Sequence, residues 1–189
     1  MQYLLEIKGT TPYFPEKYCF QENTGPSKGG KDYSEEWKDK TYVDRDGYVV
    51  LPAEVLKATL INGSKGLHEG KVFMSKLIPA GLILGQMESR ILIDGKPITL
   101  DDIEKNDWIN KFRKVIGSTS NIGVRTQIPT GWTNSWTLIT RDEQLTEQRI
   151  RAVVENAGVY AGIGGQRPSS PKKPGNYGQF EIINLKKIK

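Results

Sequence analysis

The order of elements in the last third of the chain restricts its fold more than any other feature. TEQRIRAVVENA (146–157) places Ile150, Val153, Val154 and Ala157 on one helical face, with Thr146 positioned as the N-cap. YGQFEIINL (177–185) reads as a closing strand. From 158 to 180 runs GVYAGIGGQRPSSPKKPGNYGQF, with six glycines, three prolines and three cations. A turn needs only two or three such residues, so the loop has a further purpose. Gly158 stands where a left-handed helix stop is wanted.

Upstream, MQYLLEIKG is apolar and β-rich and reads as a buried first strand, stopped by Pro12 and Pro15. Residues 16–40 are dominated by Gly, Lys, Asp and Glu and read as a mobile loop insertion. TYVDRDGYVVLP then gives two short β segments around Asp46-Gly47. Pro52 suits the first turn of a helix, AEVLKATLINGSKG, in which Val55, Leu56, Thr59, Leu60 and Gly63 share the core face and Gly66 ends the run. KVFMSKLIPAGLILGQM, broken by Pro79 and Gly81, reads as two strands, and ILIDGKPIT as a hairpin around Asp94-Gly95. A helix capped at Thr99 follows, and TNSWTLIT reads as a strand with Trp136 in the core. The firm elements make two β-α-β units, which predicts an α+β fold: a ferredoxin-like, RRM-like antiparallel sheet with helices on one face and long loop insertions. The 189 residues suit a single domain, 1–189, with 71–120 as a second, variable insertion.

The net charge is +5, and the same excess is found within Gln166–Lys189 alone: six cations against Glu181. Localised positive charge of this kind attracts polyanions, nucleic acid first; a solubilising basic tail is the plainer alternative. One cysteine (Cys19) and one histidine (His68) exclude an internal disulfide and a conventional His/Cys metal centre. No apolar run approaches the roughly 18 residues of a membrane span, and MQYLLEIKG lacks a cationic leader. The expectation is a cytoplasmic protein with no cofactor and no membrane partner.

A glycine-rich G-x-G-G-x-R segment after a helix and before Y-G-x-F, here GIGGQR (162–167) and YGQF (177–180), resembles the glycine-rich loop of the RAMP superfamily, the RNA-binding proteins of CRISPR systems. GYVVLPAEVLKATLINGSK (47–65) is similar to the hairpin, proline and first helix of the backbone-subunit family that coats guide RNA. The resemblance covers roughly residues 1–10, 41–66 and 123–185. It implies single-stranded RNA as a partner, with single-stranded DNA a further option, and other copies of the chain or other effector subunits as neighbours. The loops at 16–40 and 71–120 then supply subunit or thumb-like contacts. Glycine lets backbone N–H groups approach phosphate, so Gly162, Gly164 and Gly165 are expected to form a phosphate cradle with Gln166 and Arg167 at its rim and Lys172 and Lys173 adding attraction. That reading needs the cradle to face the open sheet. Lys57 and Lys65, two turns apart, are expected to line the RNA path; Arg125 and an exposed Trp132 are expected to contact the strand, the indole by base stacking.

The expected protein is not an enzyme. Asp44 and Asp46 flank Arg45 in a DRDG turn that accounts for them by itself, although some RAMP backbone subunits cut RNA with a loop aspartate. His68 is the one candidate for a guide-processing ribonuclease, and a helix-end cation is its simpler reading. A stand-alone phage or mobile-element protein, binding single strands or acting as a decoy subunit, and an assembly protein with a basic tail remain as alternatives.

Overall fold

A computed structural model describes residues 1–18, 35–116 and 119–189, the side chains of 114–116 and 119–121 excepted. Most of the expected 16–40 loop, with Cys19, lies outside these residues. In chain order the described elements begin with β1 (Gln2–Gly9), α1 (Glu36–Asp39), β2 (Val50–Pro52), α2 (Ala53–Gly63), β3 (His68–Glu69), β4 (Val72–Phe73) and α3 (Met74–Gly81). They continue with β5 (Leu82–Leu84), β6 (Glu88–Arg90), β7 (Leu92–Ile93), β8 (Lys96–Pro97), α4 (Leu100–Lys105), β9 (Ile109–Ile116) and β10 (Thr119–Thr126). Strand β11 (Thr133–Thr140), α5 (Glu147–Asn156), a π-helical turn (Ala157–Ala161) and β12 (Phe180–Lys187) complete the series.

Strand β1 lies at the centre of the main sheet, antiparallel to β11 on one side and β12 on the other. β5 and β7 both pair with β11 beyond it. The frame β1-α2-β5-β11-α5-β12 therefore has the spatial strand order β12-β1-β11-β5, the ferredoxin-like arrangement expected from the sequence. Alternation fixes the faces: Tyr3, Leu5 and Ile7 of β1 and Trp136 and Leu138 of β11 are buried under Leu56 and Leu60 of α2 and Ile150, Val153 and Val154 of α5. A side chain at Gly63 would run into Ala157, so glycine there lets α2 reach the π-helical turn.

The opposite face of the sheet is open. From the register it presents Gln2, Leu4, Glu6 and Lys8 of β1, Thr133, Ser135, Thr137 and Ile139 of β11, and Glu181, Asn184 and Lys186 of β12, with Asn184 donating to the Glu6 carboxylate at 2.8 Å. Two acids balance two lysines, and no described strand residue on this face is aromatic. An RRM-like stacking platform needs rings on that surface.

Two local expectations are corrected. The first half of KVFMSKLIPAGLILGQM is the helix α3, because Met74, Ile78 and Gly81 recur at helical spacing and bury one face despite Pro79. A short apolar run carries no decisive period, and length alone favoured strands. Trp132, expected to be exposed, is fully buried: its ring lies over Gly9, where any side chain would meet the indole, and Nε1 donates to the Thr11 carbonyl at 3.1 Å. Within 71–120, Leu82–Leu84 supply a strand of the main sheet.

The Asp94-Gly95 hairpin forms with both turn residues at positive φ (50° and 74°). The cap at Thr99 is a full capping box, in which its hydroxyl accepts from the Asp102 N–H and Asp102 accepts from the Thr99 N–H at 2.9 Å. That N–H and then the Thr99 hydroxyl hold the Asp102 carboxyl below the usual aspartate range. Its contribution is thus present above about pH 4 and fades as pH falls through the lowered value. Thr99→Ala is expected to cost about 1 kcal/mol, seen as a lower urea midpoint at unchanged slope.

Candidate nucleic-acid interface

Helix α5 is capped as expected, with Thr146 Oγ1 accepting from the Arg149 N–H at 3.4 Å. The stop differs. Gly158 lies inside the π-helical turn, where a Cβ would run into the Phe180 carbonyl oxygen, and the chain leaves the helix only at Gly162 (φ 66°). The Gly162 N–H bonds the Ala157 carbonyl at 2.8 Å, the Ile163 N–H that of Gly178 at 2.9 Å, and the Gly165 N–H that of Phe14 at 2.9 Å. The donors expected to hold phosphate at Gly162 and Gly165 are therefore used inside the fold. These glycines serve close approach: a side chain at Gly164 would strike the Phe14 carbonyl and the Tyr13 ring, and one at Gly165 the Glu16 carboxylate. The loop is seated on residues 13–16, an arrangement with a non-local cause that the glycine spacing does not reveal.

Arg125, on β10, is 6% exposed. Its guanidinium lies 3.7 Å from the Phe14 ring centroid and 4.6 Å from that of Phe112. Nε donates to Asn110 Oδ1 at 3.3 Å, Nη2 to Gln166 Oε1 at 3.1 Å, and Nη1 is 3.8 Å from Glu16 Oε1. Burial lowers its pKa, with Glu16 and Tyr177 opposing. Arg125 thus ties β10 to the glycine-rich loop, and Gln166 is held at φ 51° as its acceptor. Neither side chain is the open contact expected.

Arg167 is half-buried; Nε donates to Ser169 Oγ at 3.1 Å and Nη1 to the Gly164 carbonyl at 2.8 Å. It lines a cleft of about 270 Å³ with Tyr13, Glu16, Glu54, Thr59 and Asn62. Three of those residues belong to α2, so the loop opens beside the helix and not onto the open sheet. Tyr13, Glu16 and Glu54 were not singled out from the sequence. The first two gain meaning only because the loop folds onto them, and Glu54 reads as an ordinary acidic residue of a first helical turn.

The remaining candidates are scattered. Lys57 points along α2 to the end of α3, donating to the Ile78 carbonyl at 2.7 Å and to the Leu82 carbonyl, and desolvation lowers its pKa. Lys65 is exposed past the end of α2, which closes at Gly63, and donates to Asn62 Oδ1 at 2.8 Å. Lys172 and Lys173 are exposed on the loop and make no ion pair among the described residues. His68 is exposed in the β3–β4 hairpin with its ring 5.6 Å from Phe73. Burial pushes the Asp44 carboxyl up, but the Tyr48 N–H, Arg90 and the Asp46 N–H outweigh it and hold it below the usual range. Arg90 Nε reaches Asp44 at 2.6 Å and its Nη2 pairs with Asp46, so both carboxylates are engaged. No group of three or more His, Cys, Asp or Glu residues suited to a metal occurs among the described residues, and none of their helices is long and apolar enough to cross a membrane.

No family model matches the sequence, and no curated protein does. Among solved structures, 106 chains match. Together with the strand order above, they show an α+β, ferredoxin-like fold. One is a chain of the type III-B Cmr-β complex bound to cognate target RNA, with a TM-score of 0.59 at 10% identity, covering 98% of this chain. This chain spans 59% of that chain's length. The crystal structure of Pyrococcus furiosus Cmr4 (Cas7) aligns over 100% of both chains at 11% identity, with a TM-score of 0.46.

Proposed function

We propose that the chain is a non-enzymatic, single-stranded RNA-binding subunit of a CRISPR-type ribonucleoprotein complex, assembling along guide RNA with copies of itself or with other subunits. The observation that carries this reading is the loop at the mouth of the α2 cleft: Arg167 at the rim, then Lys172 and Lys173 exposed without an ion pair among the described residues. Free cations on one loop give a phosphate backbone something to exchange for its counterions. Support comes from the fold shared with a chain of an RNA-bound complex. The RNA path runs beside α2 past Arg167 and towards Lys65.

Filter binding to single-stranded RNA, single-stranded DNA and duplex RNA at two salt concentrations tests this. RNA is expected to bind best, with affinity falling steeply as salt rises. Removing the two exposed lysines (K172A, K173A) is expected to flatten the log–log salt slope by about 1.4 while the fold persists. Equal binding by the wild type and the double variant would defeat this placement of the strand.

A further inference from the structure

The cleft beside α2 holds more than a basic rim. Tyr13 is fully buried, and its hydroxyl has no hydrogen-bond partner among the described residues. Burial first, then Tyr42 and Glu16, push the phenol far above its ordinary value, so it remains a neutral donor beside those two residues, both of which line the cleft. A buried hydroxyl left unpaired costs about 1–3 kcal/mol unless something bonds it. Glu54 lies at the cleft with no ion pair or hydrogen bond among the described residues, and the Asn62 amide nitrogen is likewise unpartnered. The third guanidinium nitrogen of Arg167, Nη2, has no partner among them either.

The charge lining the cleft is wrong for phosphate. Glu16 and Glu54 outnumber Arg167, so a phosphate is favoured at the rim, beside Lys172 and Lys173, and not within. Two carboxylates, a phenol, an amide and one guanidinium edge instead suit a flat neutral group with donors on one edge and acceptors on another. Guanine has that pattern: N1–H and N2–H₂ donate, and O6 and N7 accept, the latter pair being a favoured target of arginine. The volume, about 270 Å³, lies below the roughly 300–1,000 Å³ of pockets for drug-sized ligands and admits one base with its sugar.

We infer that this cleft takes a single guanine base splayed out of the bound RNA strand, with Glu54 and Glu16 receiving its N–H edge and Tyr13 and Arg167 donating to its acceptor edge. The inference rests on the proposed RNA reading and adds base preference at one position. Splayed bases read on their edges are the usual route to sequence-specific recognition of single strands.

The test pairs two probes. In an all-uridine RNA oligonucleotide and the same oligonucleotide with one central guanosine, the guanosine strand is expected to bind about tenfold tighter. Glu54→Gln and Tyr13→Phe are each expected to remove that preference while leaving the all-uridine affinity unchanged. Tyr13→Phe deletes an unpaired buried hydroxyl and is expected to keep or raise the melting temperature, which separates a lost contact from a damaged fold. The second probe is free guanosine against uridine, followed by amide chemical shifts of Thr59, Asn62 and Gly164; guanosine alone is expected to move them. Equal oligonucleotide affinities with no guanosine shifts overturn the inference and leave general RNA binding standing. Guanosine shifts without any RNA binding overturn the strand reading and keep the pocket. A preference for cytidine or adenosine over guanosine, measured the same way, overturns the choice of base.

Discussion

Trp132→Ala is expected to destabilise the protein by about 3–5 kcal/mol, with RNA affinity lost only as the folded population falls. The indole is fully buried, sits over Gly9, packs within 5.8 Å of the Tyr13 ring and 6.5 Å of the Phe180 ring, and donates to the Thr11 carbonyl. Its removal leaves a ring-sized gap between the first strand, the loop after it and the last strand, with one carbonyl unpaired. Trp132→Phe retains most of the packing and is expected to cost less, with RNA affinity unchanged under conditions where the variant is folded. Urea denaturation and filter binding on the same preparations check both. A stable Trp132→Ala that binds RNA weakly would restore the stacking role and refute the core role.

Tryptophan 132 also marks where sequence reading stopped. Signals carried by neighbouring residues were legible: Thr146 three residues before the Arg149 N–H it caps, Asp94-Gly95 in a two-residue turn, alternation in TNSWTLIT. With the order of the elements, such signals gave the ferredoxin-like fold class. What remained hidden depends on partners far along the chain. Gly9 makes room for Trp132, the Phe14 carbonyl takes the Gly165 N–H, and Phe14 and Phe112 enclose Arg125. Each contact turns an expected surface group inward, and the glycines of GIGGQR serve close approach to residues 13–16. The same contacts bring Tyr13 and Glu16 to the cleft, where no local pattern announces them.

The second large effect concerns Arg125. Arg125→Ala is expected to cost about 3 kcal/mol, since it removes two desolvated cation–π contacts and leaves a cavity between two rings. Arg125→Met is expected to stay within about 1 kcal/mol of the wild type, because a buried cation replaced by an apolar chain of similar length loses its desolvation cost as well as its partners. Methionine also packs well against aromatic rings. The near-neutral result hinges on Glu16, whose half-exposed carboxylate remains solvated when its partner is gone. Thermal melts distinguish the two variants. Gln166 loses its bond to the guanidinium in both, so loosening of the glycine-rich loop is expected to appear as faster amide exchange at Gly164 and Gly165. A methionine variant as stable as the wild type but unable to bind RNA would make Arg125 a strand contact after all.

The central position of β1 has a consequence for how the protein is made. Its apolar face, Tyr3, Leu5 and Ile7, pairs with strands that begin at Thr133 and Phe180. At about 5–20 residues per second on the ribosome, these partners follow the first strand by several seconds to tens of seconds. Throughout that interval the nascent chain carries an unpaired β edge and no completed sheet, the condition in which strands add to the wrong neighbour. Residues 2–9 therefore need shielding while the chain is being made, a requirement separate from the stability of the finished fold.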